Sequence, residues 1–283
     1  MWKQWLKRLH PKYQVLIPDY PVHMVPRYGH GRPTHAGLAQ LLANEIAVYE
    51  KWQSHILSYA TSLQQIGMSS QLSADSLLPG WNNGFLPGLD MAMLYTAIRE
   101  LKPRTYVEVG SGNSTRLVHQ AKLDGALGTR IVSIDPHPRA VMDELADEII
   151  RQPFEFADLS LFKNLVPGDI VFIDNSHRVL PNSDATVFFL DILPYLPVGV
   201  WVQIHDIYLP DDYPQVMCDR FYSEQYMLAA FILANPARYK TRFPAWYVSQ
   251  VPELADQIAP LFSHPSLTSV ERHGGSFWLE IGG

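Results

Sequence analysis

The stretch from Thr105 to Arg116, TYVEVGSGNSTR, constrains this chain more than any other. Five residues of strand character run into Gly110-Ser111-Gly112, and a helical pattern begins near Asn113. A strand, a tight glycine turn and a helix start put bare backbone N–H groups beside a cleft, ready for an anionic or hydroxylic ligand group. A dinucleotide-binding turn would place a third glycine at position 115, so that its helix packs closely under a pyrophosphate. That position is Thr115, and an acid, Glu108, stands two residues before the first glycine. The acid would repel a phosphate and suits an amino group.

From Lys102-Pro103 onward, strand and helix patterns alternate. Strands are expected at 105–109, 130–134, 153–157, 169–173 and 199–204, with helices at 113–123, 138–150, 183–195 and near 214–234. Helices between apolar strands imply a parallel sheet covered on both faces, an α/β doubly wound architecture. Residues 238–249 and 275–281 read as paired final strands around a helix at 252–262. A helix over 90–101 precedes the alternating region. Before it, Leu38, Leu41, Leu42, Ile46, Tyr49, Trp52, Ile56, Tyr59, Leu63 and Ile66 recur at three- and four-residue steps. That stripe predicts one long helix over 35–66, capped by Thr34 and suited to core packing or a subunit interface. The polar stretch 69–76 sets a soft boundary between an N-terminal arm and helix, 1–80, and a second unit, 81–283.

Composition narrows the function classes. A formal charge of -6 argues against a broad nucleic-acid surface. Cys218 is the only cysteine, so there is no internal disulfide and no cysteine-based zinc site, which fits a cytoplasmic protein. No apolar run is long enough to span a bilayer. Trp2, Trp5, Leu6 and Leu9 fall at helical spacing among Lys3, Lys7, Arg8 and Lys12, a pattern of weak membrane-surface association or of docking on the domain or a second subunit. His23, His30 and His35 are too irregularly spaced for a metal site and read as loop histidines.

In an open α/β sheet, ligands lie beyond the carboxyl ends of the strands. The second strand ends at Asp135, where an acid accepts hydrogen bonds from both hydroxyls of a ribose or caps the following helix. The expected third strand ends at Asp158, placed to meet an adenine amino group or to cap the next turn. The fourth strand ends in Asp174-Asn-Ser-His177 and the fifth in His205-Asp206. If these two strands are neighbours, two carboxylates and two imidazoles converge on one cleft. Asp174 and Asp206 then offer a hard divalent-ion site of the Mg²⁺ kind. Alternatively, His177 or His205 is a general base while a carboxylate orients the acceptor. Tyr208, Asp211, Asp212 and Tyr213 form a proline-flanked loop able to fold over an acceptor pocket.

The motifs VEVGSGNST, VSIDPHP, DIVFIDNSH and IHDIYLPDDYP, with GGSFWL near the end, resemble the class I S-adenosylmethionine (SAM) dependent methyltransferases from about Pro87 to Gly275. Within that class the chain is most similar to the bacterial O-methyltransferase branch that includes macrocin-type sugar methyltransferases. The resemblance implies a Rossmann-like, seven-stranded, mostly parallel sheet with an antiparallel last strand, here carrying an N-terminal helical extension. It implies SAM as cofactor, with Glu108, Gly110, Ser111, Gly112, Asn113, Ser114 and Asp135 around it and Asp158 at the adenine. It places Asp174, His177, His205 and Asp206 at the acceptor, a small or medium organic molecule with a hydroxyl. Metal-dependent relatives usually carry an acidic pair after the fifth strand, whereas here His205-Asp206 is followed by Ile207. Two other readings remain at this point: a nicotinamide oxidoreductase on a similar sheet, and a non-catalytic module of the same fold that binds partners through its aromatic N-terminal arm.

Overall fold

The computed structural model describes residues 16–17, 19–73, 76–138 and 143–283. The N-terminal pattern around Trp2 and Trp5 lies outside these residues.

Seven strands form one sheet: β1 (Thr105–Val109), β2 (Arg130–Ile134), β3 (Glu148–Ile150), β4 (Ile170–Ile173), β5 (Trp201–Ile204), β6 (Tyr239–Pro244) and β7 (Phe277–Ile281). Their spatial order is β3-β2-β1-β4-β5-β7-β6, and only β7 runs antiparallel to its neighbours. This is the Rossmann-like sheet expected, with the antiparallel last strand slotted between β5 and β6. The chain reverses direction across the sheet between β1 and β4, so the crevice for a ligand opens there.

Alternate residues of each buried strand enter different cores, as a two-residue period demands. Tyr106, Ile131, Ile170, Phe172, Trp201 and Trp278 point to one face. Val107, Val132, Val171, Val202, Leu279 and Ile281 point to the other. On the first face lie α2 (Ile46–Ser58), α4 (Gly88–Leu101), α5 (Asn113–Asp124) and α11 (Pro252–Phe262). On the second lie α1 (Ala36–Ala43), the helical segment 184–195 and α9 (Glu224–Ala234). Trp52 of α2 packs edge-on against Trp201 of β5, with ring centres 5.2 Å apart, so the N-terminal helices share the core of the sheet.

Four expectations change. The single helix over 35–66 is three: α1, α2 and the short α3 (Ala60–Gln64). Its start is capped by His35, whose Nδ1 accepts the Leu38 N–H, and not by Thr34. Asn44 closes α1, and Tyr59 leaves the helical path as its hydroxyl reaches Glu100 at 2.6 Å. The third strand lies earlier than expected, at Glu148–Ile150 inside the region read as helix 138–150, of which 139–142 lie outside the described residues. Pairing of Glu148–Ile150 with Val132–Ile134 outweighs the helical spacing. Phe154–Phe156, read as that strand, is one tight turn begun by Pro153, which has no N–H for a ladder. Residues 214–234 hold two helices, α8 (Gln215–Cys218) and α9, parted by a bend at Phe221. The strand expected over 238–249 stops at Pro244, and the chain continues as α10 (Ala245–Gln250).

Strand register sets which residues share the carboxyl edge of the sheet. Val109 pairs with both Ile134 and Ile173, and Ile173 pairs with Ile204. Gly110, Asp135, Asp174 and His205 therefore stand side by side there, one residue past the ladder.

Candidate active site

A cavity of about 460 Å³ opens at this edge, lined among others by Gly110, Ser111, Asp135, Phe154, Asp174 and His177. A second of about 210 Å³, lined by Gly112, Asn113, Ser114 and Arg116, shares Ser111 and Asp174 with it. The glycine turn is the wall between them. Gly110 has φ +87°, and a Cβ there would lie 2.2 Å from the Asp174 carbonyl oxygen, so only glycine lets β1 and β4 close at the crevice.

Glu108 is fully buried under this turn and borders neither cavity. Its carboxylate accepts from Ser133 (2.6 Å), Thr115 (2.5 Å), Ser114 (2.9 Å) and Tyr106 (3.3 Å). Burial pushes its pKa up to about 7 against the pull of these hydroxyls. Sequence reasoning puts Glu108 against the ligand. The fold instead makes it the knot that ties β1, β2 and the start of α5 beneath the loop.

Asp135 does border the main cavity. Its Oδ2 accepts from the Ser111 N–H and hydroxyl, both at 2.9 Å, and its Oδ1 accepts from the His137 N–H. A carboxylate has about four acceptor sites, so capacity remains for one further hydroxyl. Asp158 lies elsewhere: with the third strand moved, its oxygens cap Ser160 at 2.9 Å on the surface, and it lines neither cavity.

Beyond β4 and β5 the expected convergence occurs, with two partners that sequence reasoning missed. His177 is buried, with Nδ1 2.5 Å from Glu224 Oε1 and Nε2 3.4 Å from Asp174 and 3.5 Å from Asp206. Its ring stacks on Tyr222 at 4.5 Å. His205 lies behind it, between Asp206 (3.4 Å), Asp90 (3.6 Å) and Asp174 (3.9 Å). Burial lowers both imidazole pKa values. The facing carboxylates outweigh it, Glu224 and Asp174 raising His177 well above its usual value and Asp206, Asp90 and Asp174 raising His205 to about 9. His177 faces the cavity and His205 does not. His177 and Asp206 both hold left-handed backbone, φ +62° and +55°, the kind of strain that persists where the surroundings over-determine a site.

Glu224 and Asp90 each left one trace in the sequence, an acid in the first turn of a largely apolar helix. Asp90 accepts the Gly275 and Ser276 N–H groups and so fixes the segment that leads into β7 against the site.

The Mg²⁺ site expected at Asp174 and Asp206 is not supported. Among the described residues no group of three or more His, Cys, Asp or Glu is arranged to hold a metal ion. The two carboxylates are separated by imidazoles whose raised pKa values favour the protonated form, which cannot ligate a cation.

The loop Tyr208 to Tyr213 is packed in place. Tyr213 is buried, Asp212 accepts the Arg27 N–H at 2.8 Å, and Trp246 donates to Asp211 at 3.1 Å. His30 and His35, read as loop histidines, lie in the arm that straps it: the His30 ring is 2.9 Å from the Asp212 carbonyl, and the His35 N–H donates to the Pro210 carbonyl. Among the described residues no helix is long and apolar enough to cross a membrane.

With the geometry described, known proteins provide a comparison. No curated protein matches the chain. Among solved structures, it resembles the SAH-bound Podospora anserina methyltransferase PaMTH1, at 14% identity over 86% of this chain and 96% of that one, with a TM-score of 0.44. An O-methyltransferase from Bacillus cereus in complex with SAH is 14% identical over 82% and 91%, at 0.39. The cmcI-N160 structure with SAH is 16% identical over 42% of this chain, which spans 60% of that protein's length, at 0.33. Residues 107–207 match the profile of a family described as a methyltransferase domain. That stretch runs from β1 to just past β5 and includes the glycine turn, Asp135, Asp174, His177, His205 and Asp206, so over it the chain is similar to methyltransferase domains.

Proposed function

We propose that this enzyme methylates a hydroxyl of a small or medium organic acceptor, a sugar or a secondary metabolite, with His177 as the base. One observation carries the reading: His177 lines the cavity with its Nε2 3.4 Å from Asp174, while Nδ1 is held by Glu224. That pairing fixes the tautomer in which neutral His177 presents a lone pair to an incoming O–H. His205, walled off from the cavity, acts through the carboxylates that it shares with His177.

The residues fit SAM. Asp135, with one acceptor site left, would take a ribose hydroxyl. The smaller cavity at the start of α5 suits the amino acid end, where first-turn N–H groups of a helix lack intrahelical partners. When bound, SAM supplies an electrophilic methyl group on a sulfonium. Asp174, shared by both cavities, would face that cation. The chain's own task is then alignment and proton removal: it holds the acceptor oxygen in line with the methyl carbon, and His177 takes the hydroxyl proton as the O–C bond forms and the S–C bond breaks.

The test is a thermal-shift screen with SAM, SAH and NADH, followed by transfer of labelled methyl from SAM to hydroxyl acceptors. Stabilisation by SAM and SAH and not by NADH is expected. Stabilisation by NADH alone would sink the reading.

A further inference from the structure

The far wall of the main cavity holds a feature that methyl transfer itself does not use. Arg178 and Arg220 both line this cavity, and both guanidinium carbons lie over the Tyr222 ring, at 5.6 and 4.6 Å from its centre. Tyr222 is in turn stacked on His177. The two cations are thus one aromatic ring away from the atom that meets the acceptor.

One of them is held there by hydrogen bonds. Arg178 donates from Nε to the Arg220 carbonyl at 2.8 Å and from Nη1 to the Ser176 carbonyl at 3.0 Å. Those bonds orient the guanidinium and leave further N–H groups unused, since arginine has five. Among the described residues no carboxylate lies within 4.0 Å of either guanidinium, although acids outnumber Lys and Arg, 28 to 22, along the chain. Asp184, which also lines this cavity, is committed to the Ser176 N–H and hydroxyl. Two like charges on one ring, one of them fixed by backbone bonds and neither with a carboxylate beside it, suit a planar or tetrahedral anion, which guanidinium forks bind bidentately.

We infer that the acceptor carries an anionic group, a carboxylate or a phosphate ester, that Arg178 and Arg220 bind while its hydroxyl meets His177. The inference rests on the methyltransferase reading and narrows its substrate class. A neutral sugar would leave both guanidiniums unanswered. A hydroxy acid or a phosphorylated alcohol answers them and is drawn in with its hydroxyl towards the base.

The experiment uses the full chain saturated with SAH. Inorganic phosphate, meta-hydroxybenzoate and the neutral meta-hydroxybenzamide are titrated calorimetrically into the wild type and an Arg178→Gln, Arg220→Gln double variant. At least one of the two anions should bind, with the hydroxybenzoate at least tenfold tighter than its amide if it is the one that fits. The double variant should lose that binding and keep its SAH affinity. Absence of binding by both anions, an amide as tight as the acid, or anion binding that survives in the double variant would each overturn the inference. Failure of the wild type to bind SAH would instead remove the methyltransferase reading beneath it.

Discussion

Nδ1 of His177 lies 2.5 Å from Oε1 of Glu224, and both side chains are buried. The carboxylate sits at the first position of α9, where the helix dipole favours negative charge. Burial works against a charged ring, but Glu224 with Asp174 holds the His177 pKa well above its usual value. At neutral pH the ring is therefore protonated, and the free base appears only as pH rises. We expect turnover to climb on the alkaline side. Glu224→Gln removes a negative charge from beside the ring and should move the His177 midpoint to lower pH. NMR titration of the imidazole reads this without any acceptor. A midpoint that stays in place would show that Glu224 does not set the charge of the ring.

Removal of the ring separates chemistry from binding. His177→Ala should lower methyl transfer by about 10²- to 10⁴-fold, the usual range for a lost general base, while SAH affinity by calorimetry stays unchanged. Full turnover in this variant would remove His177 from the reaction.

Asp135 joins two tasks in one carboxylate, since it anchors Ser111 of the glycine turn and borders the cavity. Asp135→Ala should weaken SAH binding by about 1–3 kcal/mol, the scale for loss of a charged hydrogen-bond partner. Asp135→Asn, which can still accept through one oxygen, should lose less. Equal affinity in all three proteins would place the ribose elsewhere.

The sequence exposes the sheet and its ligand edge because both follow from local pattern. Apolar runs mark β1, β2, β4 and β5, and the residues just past them, Gly110, Asp135, Asp174 and His205, share an edge for reasons of register alone. What local pattern does not carry is which side of a strand faces a void. Glu108, inside β1, and Asp135, one residue past β2, both read as ligand-facing acids, yet Glu108 points inward to four hydroxyls. The three-residue strand β3 is too short to show a period, so the sequence pattern puts Asp158 on an edge it does not occupy. Glu224 and Asp90 reach His177 and His205 from helices 47 and 115 residues away in sequence, a relation that only packing creates.

The two glycines of the turn should respond differently to a methyl group. At Gly110 an L-residue meets a left-handed backbone, about 1–2 kcal/mol of strain, and its Cβ would meet the Asp174 carbonyl at 2.2 Å. Asp174 would have to move, and His177 with it. At Gly112 a Cβ meets nothing within 4 Å. Gly110→Ala should lower the melting temperature and abolish the SAH-induced shift, whereas Gly112→Ala should melt as the wild type does. Similar melting of both variants would mean that β1 and β4 do not close as described.

Glu108 makes stability depend on pH in an unusual direction for an acid. Its pKa is about 7 in the folded chain because burial disfavours the charge, against 4.5 for a free side chain. Between those values the folded protein holds a proton that the unfolded chain has lost. The contribution is complete below about pH 4.5 and is lost as pH rises through 7, a total of about 3 kcal/mol. Glu108→Gln cannot ionise and keeps the size of the side chain, so this decline should vanish from it while slopes due to other groups remain. Urea unfolding of both proteins across this range gives the difference directly. If the two curves run parallel, the carboxylate beneath the glycine turn is already charged at low pH, and the four hydroxyls outweigh its burial.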